Sequence, residues 1–405
     1  MKPATRYVVT AAVVALAATL LVPYWNAAAM ILRAAGTKGL VGEVARWEAR
    51  PVSDFVQRIA TRDGIIRARV FRPSGHVHRA VLLVSGVHPD GVDEKRLVDL
   101  ARDLAGTGVN VVTPEIRDLT EYRLTARVTD TIEDAALWVT ASDDLSGGTA
   151  VGMIGVSFSG GLSIVAAGRP ALRDHVSYVL SFGGHGSLPR VLRFLCTGVE
   201  PSLSGGPGQK RTPHDYALAI VLHQAADVVV PIGQVATLRG GIETFLRASA
   251  LARTDPSQAV SLFLAARAQQ QQMPEPSATL MKHVNDRNVA ALGSRLLPYL
   301  DALGQDPSLS PDRSAPPRAP VYLLHGIDDN VIPAVESALL SAELQRSTRV
   351  RYLLSGFLSH VDVADRPTLR EAGRMIAFWQ AAMAEQPRQW DRGLAFRDWV
   401  TSVIR

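Results

Sequence analysis

The stretch Gly152-Met153-Ile154-Gly155-Val156-Ser157-Phe158-Ser159-Gly160-Gly161 decides the fold. Apolar residues of strand length lead into it, and the small-residue run Leu162 to Ala167 follows as the opening of a helix. A serine between them sits on a tight strand-to-helix turn. The turn lifts its hydroxyl above the sheet, at a helix N-terminus that favours developing negative charge. Such a turn is crowded, so the positions two before and two after the serine must be small. Gly155 meets the first need, and Ser159 stands at the second in place of a glycine. Ser159 also opens a rival register, Ser157-x-Ser159-x-Gly161, with Ser159 as nucleophile. Ser157 is preferred because Ile154 ends the strand and Gly155 begins the turn.

Outward from this segment, strands and helices alternate. Val70–Arg72 ends in a turn at Pro73 to Gly75, and Ala80-Val81-Leu82-Leu83-Val84 is a continuous apolar run of a kind found in buried parallel strands. Leu97, Leu100, Ala101 and Leu104 recur at helical spacing, with Gly106 where a C-cap glycine belongs. Val111-Val112, Val151 to Ile154 and Ser177 to Ser181 read as further strands, and Val128, Ile132, Ala135 and Val139 as a helix face. This alternation predicts an α/β protein with a mostly parallel sheet covered by helices on both faces. Loops at the strand carboxyl ends are then free to carry chemistry.

The alternation stops after residue 186. Residues 187–316 read as mostly helical, with a Gly/Pro-rich break from Ser204 to Pro213 and a linker from Pro307 to Pro320. Val321-Tyr322-Leu323-Leu324 resumes the strand pattern, and Arg349-Val350-Arg351-Tyr352 alternates as a half-exposed edge strand does. Leu369, Ala372, Ile376, Trp379 and Met383 form the last amphipathic helix. The expected organisation is an N-terminal segment and linker over 1–50, a core in two parts over 51–186 and 317–386, a helical insertion over 187–316, and an amphipathic tail over 387–405 carrying Trp390, Phe396 and Trp399.

Two further segments supply partners for the serine. In Leu323-Leu324-His325-Gly326-Ile327-Asp328-Asp329 an acid lies just beyond a strand, and Asp329 fits better than Asp328 by its distance from that strand. A carboxylate there can orient an imidazole and stabilise its protonated form. His360, in Ser355-Gly356-Phe357-Leu358-Ser359-His360, follows the last strand. A histidine can take the serine proton and return it to a leaving group, because its pKa lies near working pH. The loop Ser85-Gly86-Val87-His88-Pro89-Asp90-Gly91 follows another strand. The Val87 amide, with Gly86 allowing close approach, and the Phe158 amide are the candidate oxyanion hole. His88 is expected to shape the loop.

With these residues in hand, the chain resembles the α/β-hydrolase superfamily over roughly residues 52–186 and 317–386. The likeness rests on the elbow at Ser157, His325-Gly326-x-x-Asp329, His360 and Ser85-Gly86-Val87. Gly86 to Leu97 also resembles bacterial hydrolases of dienelactone-hydrolase-like type, and the inserted block resembles a cap after the sixth strand. The resemblance implies a serine hydrolase acting on a carboxylic ester through an acyl-enzyme, with a small-molecule acyl substrate and no cofactor or metal. The apolar insertion suggests a lipophilic acyl group. An acyltransferase, a serine peptidase and a non-catalytic membrane-tethered binding module are the alternatives.

Composition narrows the classes. Of 405 residues, 47% are apolar and 20% charged, as in packed globular proteins. The net charge of +5 is spread along the chain without a basic stripe, which gives no support for a nucleic-acid partner. The single cysteine, Cys196, excludes an internal disulfide, and its helical run Val191 to Cys196 makes it a buried small hydrophobe. Between Arg6 and Arg33 no side chain is charged, and the apolar part runs from Tyr7 to Trp25. That length suits a single membrane-anchoring helix with Tyr24 and Trp25 at the interface. The alternatives are an export signal cleaved near Ala27-Ala28-Ala29 and a helix buried on the folded unit. Sidedness stays open, because Lys2 and Arg6 on one flank balance Arg33, Lys38 and Arg46 on the other.

Overall fold

The computed structural model describes residues 21–356 and 368–385. Its ten strands are β1 Val52–Thr61, β2 Gly64–Pro73, β3 Ala80–Val84, β4 Asn110–Pro114, β5 Val151–Val156, β6 Val176–Phe182, β7 Val199–Glu200, β8 Gln209–Lys210, β9 Val321–Gly326 and β10 Val350–Ser355. Eight of them form one sheet in the order β1-β2-β4-β3-β5-β6-β9-β10, and β7 pairs with β8 apart from it. β1 and β2 are a hairpin, and β2 runs antiparallel to β4. From β4 to β10 every neighbouring pair is parallel.

Parallel strands need crossover helices, and these cover both faces of the sheet. The helices before the insertion are α1 over residues 21–34, α2 Gly39–Trp47, α3 Lys95–Ala105, α4 Arg117–Thr120, α5 Ala126–Ala141, α6 Asp143–Ser146 and α7 Phe158–Gly168. The alternation of side chains along β3 shows the two faces directly. Ala80, Leu82 and Val84 pack with α5 and α7, while Val81 and Leu83 pack with α3 and the C-terminal helix. All five residues of β3 are buried, as the uninterrupted apolar run predicts. Gly106 is the C-cap of α3, but at φ −58°. Its use is close packing, since a Cβ there would lie 3.2 Å from the Ala49 Cβ; the left-handed position is Gly108 at φ +95°.

Between β6 and β9 the chain is mostly helical. It forms α8 Leu188–Thr197, α9 Asp215–Val229, α10 Ile232–Leu251, α11 Pro256–Gln271, α12 Ser277–Asn285, α13 Val289–Leu296 and α14 Leu300–Leu303. The Gly/Pro-rich break holds β8 and part of the loop that joins it to β7. The Pro307–Pro320 linker contains short 3₁₀ turns at Pro307–Leu309 and Pro311–Arg313. After β9 come α15 Val335–Leu344, the edge strand β10 and α16 Leu369–Met383. The base of the insertion is tied to the core by Glu336 of α15. Its buried carboxylate accepts from the Gly186 and Ser187 amides at 3.1 and 2.9 Å and from Arg190 Nε at 2.7 Å. Cys196 is buried in α8, and burial pushes its thiol up to about 12.

Most of the apolar stretch Tyr7–Trp25 lies outside the described residues, as does the tail 387–405. The described part of the stretch, residues 21–25, is exposed at the start of α1; the later turns of α1 dock on the folded unit. Ala27 and Met30 are buried in the cluster that holds Phe71 and Leu104. Arg33 Nε pairs with Asp103 at 3.2 Å. The Ala27-Ala28-Ala29 run therefore lies inside a packed helix. Among the described residues no helix is long and apolar enough to cross a membrane.

Candidate active site

β5 runs past Ile154 to Val156, so Gly155 lies within the strand and not in the turn, and α7 begins at Phe158, leaving Ser157 alone between them at φ 57°, ψ −134°. Positive φ is uncommon for a residue with a Cβ and persists only where its surroundings enforce it. Two backbone bonds do so here: the Ser157 N–H to the Phe182 carbonyl and the Gly160 N–H to the Ser157 carbonyl, both 2.8 Å. Crowding does the rest. A Cβ on Gly155 would stand 2.2 Å from the Ser159 carbonyl oxygen, one on Gly160 2.4 Å from Ser181 Oγ, and one on Gly161 2.6 Å from the His185 carbonyl oxygen.

The same geometry separates the two serines. Ser159 is fully buried inside α7 and its hydroxyl donates to the Ser85 carbonyl at 2.5 Å. Ser157 is half-buried, on the turn itself. The serine at the second small position thus fits because its side chain points inward and is hydrogen-bonded.

The loop after β3 passes beside the elbow. A Cβ on Gly86 would meet the Ser157 Cβ at 3.5 Å and the Val156 carbonyl at 3.6 Å, which is ordinary contact. Val87 is buried and its carbonyl accepts from the Tyr216 hydroxyl at 2.8 Å. His88 shapes the loop, its Nδ1 accepting the Asp90 N–H at 3.2 Å, and burial lowers its pKa. On the other side of the elbow, the Phe158 ring lies 5.4 Å from that of His185. His185 is fully buried, with Nε2 2.7 Å from the Leu309 carbonyl.

Beyond β9 the two acids part company. The Asp328 side chain is 76% exposed and that of Asp329 only 2%. Asp329 Oδ1 accepts from the Val331 and Ile332 amides at 2.9 Å each, and Oδ2 lies 3.3 Å from His325 Nε2. His325 is itself fully buried. Its Nε2 faces the Ile332 carbonyl at 2.8 Å, and a carbonyl only accepts, so Nε2 carries a hydrogen. Its Nδ1 faces Ser337 Oγ at 2.6 Å. His325 stands in the motif His325-Gly326-x-x-Asp329 without a role assigned from sequence. Its place four residues before the acid was the available signal.

Residues of the insertion also reach this loop. Arg211 Nη1 donates to the Asp329 carbonyl at 3.1 Å, and the His214 N–H to the Asn330 carbonyl at 2.9 Å. Nothing in the local sequence of 211–216 announced these contacts.

Ser157 and Asp329 therefore stand at the carboxyl ends of β5 and β9, with β6 between them. At about 4.8 Å per strand step, the two strand ends are roughly 10 Å apart. β10 is parallel to β9, with Ser355 opposite Gly326, so it delivers the chain to the same edge. His360 lies outside the described residues. Among the described residues no cluster of three or more His, Cys, Asp or Glu side chains is placed to hold a metal ion.

No family model matches the chain, and no curated protein matches it. Among solved structures it is similar to an esterase from Pyrobaculum calidifontis, at 18% identity, 85% of this chain, 90% of that one and a TM-score of 0.42. It is similar to acylaminoacyl peptidase from Pyrococcus horikoshii at 11% identity and a TM-score of 0.42, covering 91% of this chain and 46% of the peptidase. It is also similar to brefeldin A esterase, a bacterial homologue of human hormone-sensitive lipase, at 16% identity, 94% of this chain, 85% of that one and a TM-score of 0.42. The strand order, the antiparallel lead-in through β1 and β2, and a serine held at positive φ between β5 and α7 together make this the α/β-hydrolase fold.

Proposed function

We propose that this chain is a serine hydrolase that cleaves a carboxylic ester through Ser157, Asp329 and His360. The observation that carries the reading is the position of Ser157: alone at positive φ on a strand-to-helix turn, at the sheet edge that also receives the buried Asp329.

In this reading Ser157 Oγ attacks the ester carbonyl while the His360 imidazole takes its proton. The charge moves onto the carbonyl oxygen, where the Phe158 and Val87 amides receive it. Collapse expels the alkoxide, which leaves as an alcohol with the proton from His360. Water then adds to the acyl-enzyme by the same route and releases the acid and free Ser157. Asp329 suits the orienting part because its Oδ1 is already committed to two amides, which fixes the direction of Oδ2.

Labelling with a fluorophosphonate, together with hydrolysis of p-nitrophenyl esters of graded acyl length, tests this. Wild type is expected to label and turn over, Ser157→Ala to do neither, and Ser159→Ala to label. A labelled Ser157→Ala would move the nucleophile, and an unreactive wild type would remove the enzymatic reading. Product analysis with an added alcohol separates hydrolysis from acyl transfer.

A further inference from the structure

We infer that the segment Arg211–Tyr216, the lead-in and first residues of α9 within the helical insertion, positions the loops after β3 and β9, on either side of Ser157, and that the Tyr216 hydroxyl holds Val87 in register for oxyanion binding. The inference rests on the serine-hydrolase reading and adds to it a part played by the insertion.

Three contacts within six residues carry it. The Tyr216 hydroxyl donates to the Val87 carbonyl at 2.8 Å. Arg211 Nη1 donates to the Asp329 carbonyl at 3.1 Å. The His214 N–H donates to the Asn330 carbonyl at 2.9 Å. All three acceptors are backbone atoms of the loops after β3 and β9. A single stretch of the insertion therefore bridges the oxyanion loop and the acid loop.

The segment is itself held. Arg211 pairs with Glu200 at 3.1 Å and faces Asp328 at 3.5 Å. The Asp215 carboxylate lies 2.9 Å from His214 Nδ1 and pairs with Arg287, whose guanidinium stands over the Phe245 and Phe263 rings at 5.5 and 5.1 Å. Burial raises the Tyr216 hydroxyl far above its usual range, so it remains a donor at working pH.

A hydrogen-bond donor contributes to catalysis only when aimed at the place where the oxyanion forms, and misplacement by about 1 Å can cost 10²-fold. The N–H and carbonyl of Val87 lie on two peptide planes hinged at one Cα. Pinning the carbonyl restricts both torsions and so the direction of the N–H. Tyr216 need not touch the reacting atoms to do this, so it is a positioning residue.

The test is Tyr216→Phe, which keeps the ring and removes only the hydroxyl. Turnover is normalised to sites titrated by fluorophosphonate, so that loss of folded protein lowers the titre and not the rate per site. The expected result is a fall in kcat per site of about 5- to 50-fold, with KM within twofold of wild type. The midpoint of the kcat/KM pH profile stays in place. This is below the roughly 10²–10³-fold cost of deleting an oxyanion donor outright, because the Val87 amide is displaced and not removed. A per-site kcat within twofold of wild type overturns the inference while leaving the hydrolase reading intact, whatever happens to the titre. An unreactive wild type removes both. If Tyr216→Phe is insoluble, Arg211→Gln, at a half-buried position, is judged by the same split of kcat against KM.

Discussion

The elbow after β5 and the acid loop after β9 sit at the same edge of one sheet and are built in opposite ways. The elbow is made by exclusion: Gly155, Gly160 and Gly161 stand where any Cβ would come within 2.6 Å of a backbone or hydroxyl oxygen. The acid loop is made by donors. Its carboxylate is oriented by two amides of its own turn and approached by His325 from inside β9, while Arg211 holds its backbone from the insertion. Close packing tolerates no substitution at the contact, whereas a set of hydrogen bonds loses one member at a time. The first region should therefore fail abruptly under mutation and the second by degrees.

Gly155→Ala should give the largest effect. Its Cβ would meet backbone, which cannot turn away as a side-chain tip can, so a destabilisation above about 4 kcal/mol or an insoluble product is expected. Urea unfolding and recovery of soluble protein measure it. A variant that unfolds like wild type and still labels would break the steric side of the comparison. Asp329→Asn tests the polar side. The protein should stay folded, since an amide oxygen can still accept from Val331 and Ile332, while kcat falls by about 10²–10⁴-fold. A fall smaller than tenfold would mean that Asp329 serves only its own turn.

This contrast also explains what could be read from the sequence. The elbow announced itself because a steric demand leaves small residues at fixed spacing around Ser157. β3 was legible because five consecutive apolar residues have few other uses in an α/β chain. The β1-β2 hairpin was hardly legible. Most of β1 is exposed or half-buried, so Gln57 and Arg58 interrupt any apolar alternation. The donors to the acid loop were invisible for a different reason: Arg211 and Asp329 are 118 residues apart. Tyr216 and Val87 are 129 apart, and nothing in either local sequence points to the other. Polar partnership of this kind exists only once the insertion has folded back over the sheet edge.

Ser159→Ala separates the two construction rules within a single turn of helix. The side chain satisfies the steric rule by being small, and alanine satisfies it equally well. What is lost is the hydrogen bond to the buried Ser85 carbonyl. Leaving that acceptor unpaired should cost about 1–3 kcal/mol in urea unfolding, with the rate of fluorophosphonate labelling at Ser157 close to that of wild type. A loss of labelling without loss of stability would show that Ser159 acts in the chemistry and not in the frame.

The smallest effect expected concerns the polar scaffold of the insertion, and it depends on pH. Burial acts to raise the Asp215 pKa. The His214 hydrogen bond and the Arg287 charge outweigh it and hold the carboxyl down at about 2. A carboxylate whose pKa is lower in the folded chain than in the unfolded one stabilises the fold above the unfolded value of about 3.9, and that contribution is lost as pH falls towards 2. The interval corresponds to at most about 3 kcal/mol, and to less once the flexibility of the ion pair is allowed for. Asp215→Asn carries no such titration. The stability difference between wild type and Asp215→Asn, taken from urea unfolding at pH 5, 4 and 3, should therefore shrink steadily with acidification, because every other carboxylate is common to both. A difference that stays constant across this range would mean that Asp215 contributes through its contacts with the Tyr216 amide and not through its charge. The lead-in to α9 would then be held by geometry, as the elbow is, and the division between the two regions would lose its electrostatic half.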